Sequence, residues 1–294
     1  MSVSGPAADS IERDGTSLEE SALVRRARGI PVAAAVVEWE PIRHAAAARR
    51  LGALVRESAR FAAADLLGLT GVRKYHLRRG GRPVLLRHGT IDVWTFYEMF
   101  ARRVYEPPAA VAAALERADA PHVVDLGANI GMFGLDVFTR YPRARVTAYE
   151  PDAGNAAIHR RLVELNAAPG WRLVEACAGP EDGTVSFLSG QETASRIVEG
   201  PVSGTVEVPM VDVMPLLAEA DLVKMDIEGG EWPLLLDPRF ADVRSVILEY
   251  HPHGCPGDDP AASAREILRS HGFEISPVFH DPGGIGMLWA TRPG

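Results

Sequence analysis

The stretch Val123-Val124-Asp125-Leu126-Gly127-Ala128-Asn129-Ile130-Gly131 decides the fold of this 294-residue chain. It has the pattern of a buried strand, a glycine turn and the start of a helix. Gly127 permits a tight turn, and Gly131 permits a close approach at the helix start. Asp125 at the strand end can accept hydrogen bonds from an ammonium group or from loop amides. The stretch therefore predicts a small-molecule site at the carboxyl end of a strand.

The spacing of the glycines distinguishes between two kinds of cofactor turn. A dinucleotide turn has the pattern Gly-x-Gly-x-x-Gly. Here Asn129 stands at the second glycine position and Met132 at the third, so the turn is similar to a methyltransferase turn instead. The next strand ends in Tyr149-Glu150-Pro151-Asp152, and an acid about 20 residues past such a turn is the expected partner of ribose hydroxyls. Glu150 is the predicted ribose ligand.

Downstream of residue 121, short apolar runs alternate with helical patterns, which is typical of a parallel sheet covered by helices. The predicted parallel strands are Val123–Leu126, Val146–Glu150, Arg172–Ala176, Leu222–Ile227 and Val246–His251. Glu274–Phe279 and Gly286–Ala290 predict a closing antiparallel hairpin. We therefore expect an α/β, Rossmann-like fold that resembles the seven-stranded class I methyltransferase sheet, with parallel strands and a C-terminal antiparallel hairpin.

The N-terminal part has a different pattern. Helical spacing between Ile42 and Leu69 predicts one or two helices, and Lys74–Arg78 and Pro83–Arg87 predict a β-hairpin. Asp92 is predicted to cap the next helix. The predicted division is a flexible tail at 1–22, an N-terminal cap of helices and a hairpin at 23–120, and a catalytic domain at 121–294.

Composition excludes some classes of partner. A net charge of −8 argues against a nucleic-acid surface, and a hydrophobic fraction of 47% supplies a large core. The early apolar stretch Ile30–Val37 is too short to span a bilayer, and no export signal is recognised, so we expect a cytoplasmic protein without a membrane partner. A small-molecule acceptor is the expected partner, and a homodimer is compatible with the sequence.

One run of residues indicates a family. Asp221-Leu222-Val223-Lys224-Met225-Asp226-Ile227-Glu228-Gly229-Gly230-Glu231 resembles the Lys-Ile-Asp-Ile-Glu-Gly-x-Glu motif of the FkbM family of methyltransferases. Three further matches occur in the family's order: Arg87–Asp92 with Phe100 and Tyr105, Asp125–Gly131 with Glu150–Asp152, and Val246–His251. The resemblance covers residues 75–289.

The resemblance implies S-adenosyl-L-methionine as cofactor and methyl transfer to a hydroxyl of a sugar, polyketide or other secondary metabolite. O-methylation of a secondary metabolite or sugar is therefore the predicted function. The alternatives are an N- or C-methyltransferase on a small metabolite, a nicotinamide-dependent oxidoreductase and a catalytically silent binding protein. The segments Leu188–Thr205 and Pro252–Pro260 depart from the family pattern. Because such loops would shape the acceptor pocket, the acceptor itself is not carried over.

Side chains at the predicted strand ends form the predicted site. The catalytic residues are Asp226, Glu228, Glu249 and His251, with His251 as the general base because its ordinary pKa lies near neutrality. The cofactor-binding residues are Asp125, Gly127, Ala128, Asn129, Gly131, Glu150, Pro151, Asp152, Cys177 and Ala178. For Lys224, an internal salt bridge and a functional role remain alternatives. No metal site is predicted, although the acids could instead hold a divalent cation.

Overall fold

The structure, a computed structural model, describes residues 48–190, 196–198 and 204–293. The predicted tail, residues 1–22, and the first part of the predicted cap, residues 23–47, lie outside the described residues. Within the described ranges, no helix is long and apolar enough to cross a bilayer.

Strands and helices follow one another along the described part of the chain. The strands are β1 (Gly71–His76), β2 (Pro83–His88), β3 (His122–Leu126), β4 (Arg145–Tyr149), β5 (Trp171–Val174), β6 (Cys177–Gly179), β7 (Gly183–Leu188), β8 (Arg196–Ile197), β9 (Thr205–Asp212), β10 (Leu222–Met225), β11 (Ser245–Tyr250), β12 (Glu274–His280) and β13 (Gly286–Thr291). The α-helices are α1 (Ser58–Leu66), α2 (Asp92–Tyr97), α3 (Ala109–Arg117), α4 (Met132–Arg140), α5 (Ala153–Asn166), α6 (Met214–Glu219), α7 (Glu231–Leu236) and α8 (Pro260–Ser270). A π-helical turn, Glu98–Arg102, continues α2.

A seven-stranded sheet forms the centre of the molecule, in the order β12-β13-β11-β10-β3-β4-β5. The five strands β11, β10, β3, β4 and β5 are parallel to one another, and β13 pairs antiparallel with both β11 and β12. All five residues of β3 are buried, as expected for a strand with helices on both faces. The predicted α/β class and the C-terminal hairpin are confirmed.

Alternate residues of β3 pack into different hydrophobic clusters, so the sheet has a buried layer on each face. Val123 belongs to a cluster that also holds Phe61 and Phe96 of the N-terminal elements. Val124 belongs to a second cluster, which contains Trp232 of α7. Each large apolar side chain buried in this way contributes about 1.5–3 kcal/mol relative to exposure. The β1–β2 hairpin and α2 therefore share their core with the sheet.

A second sheet, with the order β6-β9-β7-β8, was not predicted from the sequence. Its strand β7 is mostly half-buried or exposed and lacks the continuous apolar run by which the central strands were identified. Strand β8 falls inside Leu188–Thr205, the segment interpreted as a loop individual to this protein. Residues 191–195 and 199–203 of that segment lie outside the described residues.

The capping role expected for Asp92 is wrong. Helix α2 begins at Asp92 itself, and no side chain caps it. The buried carboxylate of Asp92 instead accepts hydrogen bonds from the backbone N–H of Arg87 at 3.1 Å and from its guanidinium at 2.8 Å. Arg87 also donates to Asn155 on α5. A buried carboxylate requires a counter-charge, and this pair ties β2 to the start of α2 and to α5.

Candidate active site

A cavity of about 940 Å³ lies at the carboxyl ends of β3, β4, β10 and β11. Residues from the predicted cap supply one wall: Ile91, Asp92, Trp94, Thr95, Glu98, Met99, Arg102 and Tyr105. The opposite walls come from the glycine turn after β3 and from the loops after β4 and β10. The volume falls in the upper part of the range of small-molecule sites, about 300–1,000 Å³.

At one end of the cavity, Glu150 lies beside the glycine turn. Its Oε2 accepts a hydrogen bond from the backbone N–H of Asn129 at 2.7 Å, and its Oε1 accepts one from Asp152 N–H at 2.8 Å. Burial raises the pKa of Glu150 to about 7, against the opposing effect of these two amides. A carboxylate oxygen has two lone pairs, so each oxygen retains capacity for one more donor.

Small residues form the wall next to Glu150. Ala176, Cys177 and Ala178 all line the cavity. Burial, with the charge of Glu150, raises the pKa of the Cys177 thiol to about 12. A thiol in this state is not a nucleophile at neutral pH. Cys177 therefore fits the predicted wall for a flat ring.

Three of the predicted cofactor-binding residues do not line the cavity. Asp125 is fully buried beneath the turn, with its Oδ1 3.5 Å from Nζ of Lys224. Gly131 starts α4 with a φ of 90°, and a β-carbon there would lie 2.7 Å from the ring of His159. Asp125 and Gly131 therefore flank the turn without lining the cavity. The third residue that does not line the cavity is Asp152.

The carboxylate of Asp152 is occupied by hydrogen bonds within the protein. Its Oδ1 caps α5 by accepting from the backbone N–H groups of Gly154 and Asn155. Its Oδ2 accepts from the hydroxyl of Ser189 at 2.7 Å and from Gly190 N–H at 2.8 Å. These bonds lower the pKa of Asp152 although burial opposes them. Asp152 thereby fixes the loop that follows Glu150.

The four predicted catalytic residues, Asp226, Glu228, Glu249 and His251, all line the other end of the cavity. The strand predicted over 222–227 ends at Met225, because the chain then turns through Glu228 with a φ of 54° and Gly229 with a φ of 100°. Positive φ at a residue with a side chain is uncommon and requires support from its surroundings.

Glu231, to which the sequence interpretation gave no role, supplies that support. It is fully buried at the start of α7, and it accepts hydrogen bonds from the backbone N–H groups of Ile227 at 2.8 Å and Gly229 at 2.9 Å. It also accepts one from Nδ1 of His251 at 3.0 Å. The sequence signal that could have found it was an acid directly after Gly229-Gly230, inside the family motif.

The carboxylates around His251 change its expected chemistry. Its Nε2 lies 3.4 Å from Oε2 of Glu228 and 3.9 Å from Oε1 of Glu249. Burial lowers the pKa of His251, but the hydrogen bond from Nδ1 and the charges of Glu231 and Glu228 outweigh burial and raise the pKa to about 10. A pKa above neutrality favours the protonated ring, and a protonated imidazole cannot accept a proton. The geometry does not favour the predicted role of His251 as base.

Burial acts in the opposite direction on the neighbouring carboxylates. It raises the pKa of Glu228 to about 7 and that of Glu249 well above its ordinary value. In each case the charge of Asp226 adds to the increase, and the charge of His251 opposes it. The pKa values of Glu228, Glu249 and His251 therefore depend on one another.

For Lys224, the structure shows internal pairing. Its Nζ lies 3.5 Å from a carboxylate oxygen of both Asp125 and Asp226, and it donates to the backbone oxygens of Leu126 at 3.2 Å and Gly127 at 2.7 Å. Burial lowers the pKa of Lys224, but the two carboxylates raise it by more. Lys224 therefore connects the glycine turn, through Gly127, to Asp226 among the predicted catalytic residues.

Comparisons with known proteins agree with this arrangement. The methyltransferase FkbM domain family matches residues 125–275. The antimetabolite synthetase AmbE of Pseudomonas aeruginosa is 30% identical in a match that covers 62% of this chain but 11% of the synthetase. Methyltransferase 1 of Beauveria bassiana is 27% identical over 54% of this chain and 74% of its own length.

Solved structures with a similar fold include the precorrin-6y C5,15-methyltransferase of Geobacter metallireducens. It is 16% identical, with a TM-score of 0.37 over 63% of this chain and 87% of that one. The family match spans both the glycine turn and the four predicted catalytic residues Asp226, Glu228, Glu249 and His251. The chain therefore belongs to the FkbM family of S-adenosylmethionine-dependent methyltransferases.

Proposed function

We propose that this protein transfers the methyl group of S-adenosylmethionine to a hydroxyl oxygen of a small secondary metabolite or sugar. The observation that carries the proposal is that one cavity has Glu150 and the glycine turn at one end and Asp226, Glu228, Glu249 and His251 at the other. The similarity to an antimetabolite synthetase favours a secondary metabolite as the acceptor.

The residues at the first end fit the cofactor. Glu150 would accept hydrogen bonds from the two ribose hydroxyls. Each of its oxygens accepts only one backbone N–H within the protein, which leaves one lone pair on each for a hydroxyl. The backbone of 127–129 would lie along the cofactor, and Cys177 and Ala178 would flank the adenine ring. When bound, the cofactor supplies a methyl group that is already activated by its sulfonium.

At the second end, the chain orients the acceptor and takes up its proton. Asp226 and Glu228 both line the cavity, but Asp226 is paired with Lys224, whereas Glu228 faces the imidazole of His251. We assign proton acceptance to Glu228, with His251 as the neighbouring positive charge that holds it in place. A positioned base contributes about 10²–10⁴-fold to such a step. Trp94, Met99 and Tyr105 would enclose the acceptor from the opposite wall.

The test is to incubate the full chain with S-adenosylmethionine carrying an isotopically labelled methyl group and an extract of small metabolites. Mass spectrometry should locate the label on an oxygen of one hydroxylated compound. Glu228→Gln should lose most of the turnover, and Glu164→Gln, an exposed carboxylate on α5, should retain it. A label on nitrogen or carbon would contradict O-methylation. Calorimetric binding of NAD without binding of S-adenosylmethionine would contradict methyl transfer altogether.

A further inference from the structure

We propose that Asp226, Glu249 and His251 bind a divalent transition-metal cation in the cavity, beside the carboxyl ends of β10 and β11. Asp226 directly follows β10, and Glu249 and His251 lie at the end of the adjacent strand β11. The site itself is argued from geometry. Its role, which is to polarise the acceptor hydroxyl, rests on the proposed function.

The three side chains are spaced as ligands of one ion. One donor atom from each lies within 4.8 Å of the other two, and Nε2 of His251 is 3.9 Å from Oε1 of Glu249. Ligands at about 2.1 Å from a common cation are separated from one another by roughly 3–4 Å. Small side-chain rotations would therefore close the set around an ion.

A second observation concerns the orientation of His251. The residue is 4% exposed, and its Nδ1 is held by the fully buried Glu231. A histidine that binds a metal almost always donates its other ring N–H to such a carboxylate or to a carbonyl, which fixes the tautomer. Its Nε2 lies among carboxylates that line the cavity, 3.4 Å from Oε2 of Glu228 and 3.9 Å from Oε1 of Glu249.

Lys224 does not take the place of a cation at this position. Its ammonium lies beside Asp226, but its close hydrogen bonds go to the backbone oxygens of Leu126 and Gly127. It also faces the carboxylate of Asp125. Four acidic side chains, Asp226, Glu228, Glu231 and Glu249, lie around Lys224 and His251. A bound cation would replace the proton on Nε2 of His251 and supply the positive charge beside Glu228 in its place, so that binding releases a proton.

The donor set indicates the class of metal. Two carboxylate oxygens with one imidazole nitrogen favour Mn²⁺, Fe²⁺ or Zn²⁺ over Mg²⁺ or Ca²⁺, which prefer oxygen alone. The cavity leaves coordination positions open for water and for an acceptor oxygen. A cation there would lower the pKa of a hydroxyl bound to it.

The experiment uses the full chain after treatment with a chelator and its removal, titrated with Mn²⁺ and followed by electron paramagnetic resonance. We expect one site that removes the signal of free Mn²⁺, and a nitrogen coupling from one imidazole in the bound spectrum. Asp226→Asn and Glu249→Gln should each weaken binding at least tenfold. The exposed Glu274→Gln should bind as the wild type does. Circular dichroism checks that each variant is folded.

Two results would overturn the metal site: a wild-type spectrum without nitrogen coupling, or equal Mn²⁺ affinity in the wild type and in both ligand variants. The nitrogen coupling in the wild-type spectrum tests the metal site even if a variant fails to fold. Unchanged methyl transfer by chelator-treated protein that binds no Mn²⁺ would remove the site but preserve the proposed function. Mn²⁺ binding with the nitrogen coupling, but without transfer to any hydroxyl, would preserve the site and contradict the function.

Discussion

Gly127 of the cofactor turn packs directly against the backbone carbonyl of Asp226. A β-carbon at position 127 would overlap the carbonyl oxygen of Asp226 and lie 3.2 Å from the side chain of Ile227. The turn is also held from the other side, since the N–H groups of Gly127 and Ala128 both donate to the carbonyl oxygen of Tyr149. Glycine is therefore required at 127 for packing between β3 and β10, in addition to any contact with a cofactor.

Gly127→Ala is expected to destabilise the fold itself. The residue has a φ of 75°, which alone costs an alanine about 1–2 kcal/mol, and the overlap with Asp226 adds to that cost. Gly68→Ala is the matched control, because Gly68 has a φ of 60° and no atom within 4 Å of the added carbon. Urea unfolding of both variants measures the difference. Equal stability of the two would show that the overlap relaxes freely.

Glu150→Gln is expected to weaken S-adenosylmethionine binding about ten- to a hundredfold. The substitution preserves the size of the side chain but removes the charge that strengthens hydrogen bonds from the ribose hydroxyls, a loss of about 1.5–3 kcal/mol. Isothermal calorimetry measures the dissociation constant, with Glu164→Gln as control. A folded Glu150→Gln protein with wild-type affinity would refute the ribose assignment.

The affinity for S-adenosylmethionine should also depend on pH. Only the deprotonated form of Glu150 accepts hydrogen bonds on both oxygens, and burial raises its pKa to about 7. The affinity should therefore increase with pH, by about tenfold between pH 6 and pH 8. Glu150→Gln, measured in parallel so that titration of the cofactor's own groups cancels, should lose this dependence. Identical pH profiles would assign it to another group.

Lys224→Met is expected to cost about 3–5 kcal/mol of stability, because it leaves the fully buried carboxylate of Asp125 without a counter-charge. Asp125→Asn in the same chain should recover part of the loss. Lys74→Met, an exposed lysine on β1, provides the control. Denaturant unfolding of the two single variants and the double variant gives the coupling energy. Strictly additive losses would show that the pair does not interact.

Local sequence pattern determined the main elements of this fold. Patterns among neighbouring residues were sufficient to predict three features: the strand and turn from Val123 to Gly131, the alternation of strands with helices, and the closing hairpin. The spacing of Gly127, Asn129 and Gly131 was sufficient to separate a methyltransferase turn from a dinucleotide turn. Residues that end adjacent parallel strands meet at one edge of a sheet, so Glu150, Asp226 and His251 could be predicted as neighbours of one cavity.

Only the tertiary structure decided what surrounds each charged group. Lys224 donates a hydrogen bond to a carbonyl 98 residues away in the chain, and Glu231 at the start of α7 accepts one from His251, which follows β11. A pKa depends on burial and on every nearby charge, so the raised pKa of His251 follows from packing rather than from its residue type. The partner of Asp92 likewise followed from burial beside Arg87. Periodicity specifies which residues are buried, whereas the contacts between elements specify what those residues meet.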